Sequence, residues 1–99
     1  MTDHLLALIA AHFACAEVSD TRPLSYHEID RCGAIYQEIK LHFVPDMDRQ
    51  TYHRLSIEDK VSVNRQGFDA FIAWREQNPH LVAHLEDVAR GKAKLAITT

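Results

Sequence analysis

The sequence predicts an all-α fold, a compact bundle of four main helices plus a short connecting helix. Three observations carry this. Apolar residues recur three and four apart in four separate segments. Helix-start signals stand in front of three of those segments. Only three Gly and three Pro are present, too few to build a series of hairpin turns. At 99 residues, with 46% hydrophobic and 25% charged residues, the chain suits one soluble domain with a modest core.

The first segment, "LLALIAAHFACAEV" (5–18), is apolar on most sides. Leu5, Ile9, Phe13 and Ala16 form one stripe, flanked by Leu6 and Leu8. Such a helix must lie centrally, or its excess apolar surface makes a homodimer contact. "SDTRPLS" (19–25) is a turn. Ser25 and Glu28 form a capping box, with Leu24 and Ile29 at the two positions of a hydrophobic staple. The helix that follows, about 26–43, aligns Ile29, Cys32, Tyr36, Ile39 and Phe43. Gly33 beside that seam suggests a close helix crossing, and Pro45 ends the element.

"PDMDRQTYHRLS" (45–56) holds the short helix, with Met47, Thr51 and Leu55 inward. Ser56 and Asp59 resemble a second capping signal. From there Ile57, Val61, Asn64, Phe68, Phe71 and Ile72 give a helical stripe to about residue 77. Gly67 and the strand-like alternation of "VSVN" (61–64) weaken this segment, which still reads as helix and leaves open a kink or break near 62–67. Asn64 is either a buried polar group with a partner or the mark of that break. In "NPHLVAHLED" (78–87), Asn78 suits an N-cap and Pro79 the first helical position. Leu81, Val82, Leu85, Val88 and Ala89 form the buried stripe of the last helix, and Gly91 fits its C-terminal cap. The expected organisation is one helical domain over 1–91 and a loose tail over 92–99. Contacts between sequence neighbours should dominate, with the first helix the most buried.

Composition narrows the function classes. Net charge is −3, and eleven Lys and Arg are scattered among fourteen Asp and Glu. No stripe of positive charge offers itself to phosphate, so nucleic acid is not the expected partner. Seven His can make the net charge sensitive to pH between about 5 and 7. Cys15 and Cys32 are too few for a disulfide framework. Both fall in apolar helical patterns and read as buried free thiols, the alternative being a single disulfide joining the first two helices. The apolar start is too short to span a bilayer, and "MTDH" carries no basic residue for a signal peptide. The expectation is a cytoplasmic protein with no membrane association.

His80, His84 and Asp87 fall within about 60° of one another on the side away from the last helix's apolar stripe. HxxxH spacing can grip zinc, but a structural zinc needs four ligands and nothing nearby completes the set. A solvated helix face is the simpler reading. Cys–His dyads can be drawn, but no predicted helix N-terminus activates either thiol. The Arg–His spacing of some helical ribonucleases occurs at Arg22/His27 and at Arg75/His80, where Pro79 breaks the intervening helix. No catalytic residue, cofactor or metal is expected. Residues 57–75 can be stretched into a helix-turn-helix with Arg65 and Gln66 opening a recognition helix, although Glu58, Asp59 and Asp69 lie in the same region.

Trp74 lies about 60° from Phe71 around the helix, at the stripe edge, where a Trp is either core or an interface anchor. The stretch "FIAWREQN" (71–78) resembles the last helix of small acidic bacteriocin-immunity proteins. The resemblance covers eight residues and is one of size and charge. The expected function is a small non-enzymatic protein-binding module, an adaptor, regulator or inhibitor that masks a partner with a basic surface. Its contact candidates are Asp46, Asp48, Tyr52, Glu58, Asp59 and Trp74. The alternatives are a DNA-binding regulator using 57–75 and a metal-binding protein using His80, His84 and Asp87.

Overall fold

Helices α1 (Asp3–Thr21), α2 (Tyr26–His42), α3 (Arg49–His53), α4 (Ile57–Gln77) and α5 (Pro79–Thr98) make up the fold. The computed structural model describes residues 3–98, of which 94–98 by backbone alone, and none of the described residues is in a strand. The bundle measures 42 × 32 × 20 Å.

The first helix is central. Leu5, Ile9, Ala10, Phe13 and Val18 are buried, Ile9 to 0% exposure. An apolar residue of that size contributes roughly 1.5–3 kcal/mol when fully buried. No single neighbour can cover so broad an apolar surface, so both α5 and α2 pack against α1. The most extensive pairing is therefore α1 with α5, which join the two ends of the chain, rather than a pairing of sequence neighbours. The residues of α1 left exposed are Asp3, His4, Ala7, Ala16, Ser19, Asp20 and Thr21. Of the two placements the sequence allowed for this apolar helix, a central position or a homodimer contact, the central position is found.

The capping box at α2 forms as the sequence predicts. Ser25 Oγ accepts from the Glu28 backbone N–H at 3.2 Å, and Glu28 Oε1 accepts from the Ser25 N–H at 2.9 Å. Arg22 adds a fork that the pattern did not reveal, donating to both Glu28 oxygens at 2.8 and 2.9 Å. The Arg22 bond and the capping bond together hold the Glu28 carboxyl at about 2, against an ordinary value of 4.5. Ile29 is exposed, unlike the rest of its expected stripe. At its N-terminal half α2 has α1 beside it, whereas α4 crosses farther along, at Lys40.

Cys15 and Cys32 form a disulfide, with Cα atoms 6.1 Å apart. The free-thiol expectation is corrected, and the alternative of a bridge between the first two helices holds. Both residues lie on the α1–α2 seam, where antiparallel packing sets their side chains opposite each other.

The close crossing falls at a different glycine from the one expected. A Cβ on Gly33 would meet nothing within 4 Å, whereas one on Gly67 would lie 2.4 Å from the Lys40 carbonyl oxygen. Gly67 is thus the point where the α4 backbone presses onto α2. α4 runs as a single helix from Ile57 to Gln77, so the break left open near 62–67 does not occur. Asn64, in the same stretch, has a partner: its Nδ2 donates to the Tyr52 hydroxyl at 2.8 Å.

Two core clusters result. The larger joins Leu5, Ile9, Ala10 and Phe13 of α1, Ile39 of α2, Phe71 and Trp74 of α4, and Val82, Leu85 and Ala89 of α5. The smaller, Leu41, Val44 and Val63 with Met47, Tyr52 and Leu55, seats α3 on the α2–α4 crossing. Asn78 serves both helices it joins. Its Nδ2 donates to the Trp74 carbonyl at the end of α4, and its own carbonyl accepts from Val82 N–H in the first turn of α5. Gly91 does not cap α5, which continues to Thr98 with Ala93 buried against the bundle. The expected tail therefore begins as packed helix.

Two stability measurements check these roles. By urea denaturation, Gly67→Ala should cost about 1–3 kcal/mol through the clash with Lys40, while Gly33→Ala should gain about 0.5–1 kcal/mol from helix propensity alone. Equal effects would contradict the assignment of the crossing. Reducing Cys15–Cys32, which closes a separation of 17 residues, should lower the unfolding free energy by about 3 kcal/mol. A Cys15→Ser/Cys32→Ser variant should then be insensitive to reductant.

Candidate interaction surface

Helix α4 carries two apolar stripes roughly 100° apart around its axis. Val63, Gly67, Phe71 and Trp74 face the bundle. Ile57, Val61 and Phe68 lie along the other and are 81%, 62% and 44% exposed. Three large apolar side chains on one side of one helix make a coherent patch rather than scattered exposure. The charged residues around them are unevenly divided. Glu58, Asp59, Asp69 and Glu76 are exposed on α4, against Arg65 alone among its exposed bases. The other two bases of α4 are engaged: Lys60 Nζ lies 5.6 Å from the Tyr52 ring centre, and the Arg75 guanidinium lies 5.1 Å over Phe13.

The contact candidates read from the sequence divide accordingly. Glu58 is exposed in the first turn of α4 beside Ile57, on this surface, whereas Asp59 is exposed in the same turn but about 180° around the helix from the stripe. Asp48 is exposed but occupied as the N-cap of α3, where Oδ1 accepts from Thr51 N–H at 2.7 Å; that bond leads the effects that lower its pKa. Asp46 is exposed in the preceding turn with φ of 55°, a left-handed conformation that Asp tolerates. Tyr52 is half-buried and holds Asn64. Trp74 is not exposed: at 6% it belongs to the core, stacked on Phe71 at 6.2 Å. Ile57, Val61 and Phe68 were read as inward because they share one periodicity. The pointer to the true inner face was Gly67, since only the stripe containing it allows the backbone to approach α2.

The other constellations are also placed. His80, His84 and Asp87 are exposed on α5, and Asp87 is paired with Arg90. Among the described residues, the His and carboxylate groups that do converge belong to α1 and α2: His4, Glu38 and His42. Both cysteine sulfurs are in the bridge, so a Cys–His dyad has no thiol to use. A helix-turn-helix with its turn in "VSVN" is incompatible with an unbroken α4. A groove of about 230 Å³ lies between α1, α2 and α5 beside the disulfide, lined by Val18, Leu24, Ile35 and Ala93 with Glu28, Arg31 and Lys92 among its polar residues. No helix among the described residues is long and apolar enough to cross a membrane.

His12 is the titratable group set deepest in the aromatic core. Its ring stacks on Tyr36 at 4.7 Å and meets the edge of Phe71 at 5.9 Å. Burial lowers its pKa below the ordinary 6.5, and the Arg75 charge lowers it further. Burial also raises the Tyr36 pKa and lowers that of Lys40. No family model, no curated protein and no solved structure matches this chain.

The depressed His12 pKa has a defined sign in stability. Above 6.5 the unfolded imidazole is neutral, as the folded one is, and the contribution is fully present. As pH falls from 6.5 toward the folded value, the unfolded state gains the proton first and stability is lost. Urea midpoints between about pH 5 and 7.5 should show this decline, and His12→Phe, which keeps an aromatic ring against Tyr36, should flatten it. An unchanged slope in that variant would assign the decline to other groups.

Proposed function

We propose that this protein is a non-enzymatic binding module that docks the outer face of α4 onto a partner protein. The partner's chemistry follows from the surface: an apolar patch to cover Ile57, Val61 and Phe68, rimmed by Lys and Arg to meet Glu58, Asp69 and Glu76. The observation that carries the reading is the aligned exposure of those three apolar side chains on a helix whose other stripe already fills the core. Apolar contact supplies affinity at the centre of such an interface. The acidic rim steers encounter and rejects acidic surfaces. The same acids argue against duplex DNA, where each faces a phosphate backbone of like sign.

The Cys15–Cys32 bridge bears on location. Disulfides persist in oxidising compartments and are rare in the cytosol. The bridge supports an oxidising compartment rather than the cytoplasmic placement expected from the lack of a signal-peptide pattern at the start of the sequence.

The test compares wild type with Val61→Glu and Phe68→Glu as baits in host extract, alongside sedimentation of each protein alone. The expected outcome is a specific captured protein that either substitution releases by at least about tenfold, that high salt weakens, and whose loss occurs without a fall in melting temperature. Capture of the same proteins by both variants would remove α4 from the interface. A wild-type dimer that Val61→Glu dissociates would assign the face to a second copy of the chain and overturn the reading.

A further inference from the structure

At the end of the α1–α2 seam opposite the disulfide, three metal-ligand side chains meet. His4 comes from the first turn of α1, and Glu38 and His42 stand four apart in the last turns of α2. One ligand atom from each lies within 4.8 Å of the other two, and His4 Nε2 is 3.5 Å from Glu38 Oε1. We propose that these residues form a surface site for a divalent transition-metal ion of the zinc class, bound by two imidazole nitrogens and one carboxylate oxygen.

The donor set is that of borderline ions such as zinc rather than magnesium or calcium, which take oxygen ligands. Ligands about 2.0–2.1 Å from a tetrahedral zinc stand roughly 3.4 Å apart. The three atoms need only close by about 1.4 Å, within the side-chain freedom of exposed His4 and His42. A hollow of about 180 Å³ borders two of the three ligands, lined by Glu38 and His42 together with Met47, Asp48 and Arg49. Asp48 adds negative charge across that hollow. Arg49 opposes binding, with its guanidinium 3.7 Å from Glu38 Oε2. With three protein ligands, the site leaves a fourth position to water.

Placement gives the site a consequence that a one-helix histidine pair lacks. Helical rise sets Cys15 about 16 Å along α1 from His4. The ion would tie the two helices at one end, and Cys15–Cys32 ties them farther along the seam, so that binding stabilises the α1–α2 pair.

The full chain without a histidine tag, titrated with zinc chloride in a calorimeter and in thermal melts, tests this. Binding of one zinc per chain with a rise in melting temperature is expected. The affinity should fall at least tenfold in His4→Ala, Glu38→Gln and His42→Ala alike, and stay unchanged in His84→Ala. Magnesium should leave the melting temperature where it is. Because His4 and His42 are exposed, the metal-free variants should melt with wild type, which separates lost binding from lost folding. No binding at about 100 μM zinc, equal effects of magnesium, or affinity that depends on His84 and not on both His4 and His42 each overturns the proposal.

Discussion

Helix α1 is apolar on more than one face, and the architecture follows from covering it. Ile9 and Ala10 are buried, and both α2 and α5 pack against the helix that carries them. Burying that surface against both brings the last helix back to the first and closes the chain on itself. The cost is loop-closure entropy, which grows only slowly with chain length. Four pairings follow in a ring, α5–α1–α2–α4, with a slighter contact between α4 and α5 to complete it.

The ring leaves α4 less covered than the other long helices. It meets α2 at the Gly67–Lys40 crossing and supplies Phe71 and Trp74 to the shared core. Its second apolar stripe has no helix above it. The small cluster around Val63 and Tyr52 seats α3 against its inner side, which leaves Ile57, Val61 and Phe68 facing outward. The surface assigned to a partner is thus a direct consequence of α1 having claimed both α2 and α5. Local electrostatics agree, because the bases of α4 other than Arg65 lie over aromatic rings while its acids remain free at the surface.

The α1–α2 pair is where covalent chemistry and ligand chemistry meet the fold. The bridge between Cys15 and Cys32 and the cluster of His4, Glu38 and His42 lie at two points along it, both made possible by antiparallel register. The capping box at Ser25 and the Arg22 fork on Glu28 hold the turn between the helices. One helix seam therefore combines a disulfide, a rigid corner and a candidate ion site, while the face proposed to meet a partner lies on α4.

Short-range chemistry was legible in the sequence. Ser25 with Glu28, Pro45, and Asn78 with Pro79 each act within a few residues of themselves, and each marks a helix boundary in the structure. The all-α class followed from spacing alone. Long-range choices were not legible, because a periodic pattern says which residues share a face and not which face is chosen. On α4 two apolar stripes competed, and the close approach to Lys40 selected the one containing Gly67, turning Ile57, Val61 and Phe68 outward and Trp74 inward. Cys15 and Cys32 lay in their helices as any apolar residues would. Only the register of α1 against α2 set them within bonding distance, and that register also gathers His4 with Glu38 and His42. The sequence by itself determined the helices, their caps and the class of fold, since those depend on neighbours along the chain. The tertiary structure decided the disulfide, the glycine crossing and both candidate sites, since those depend on which helix faces are buried together.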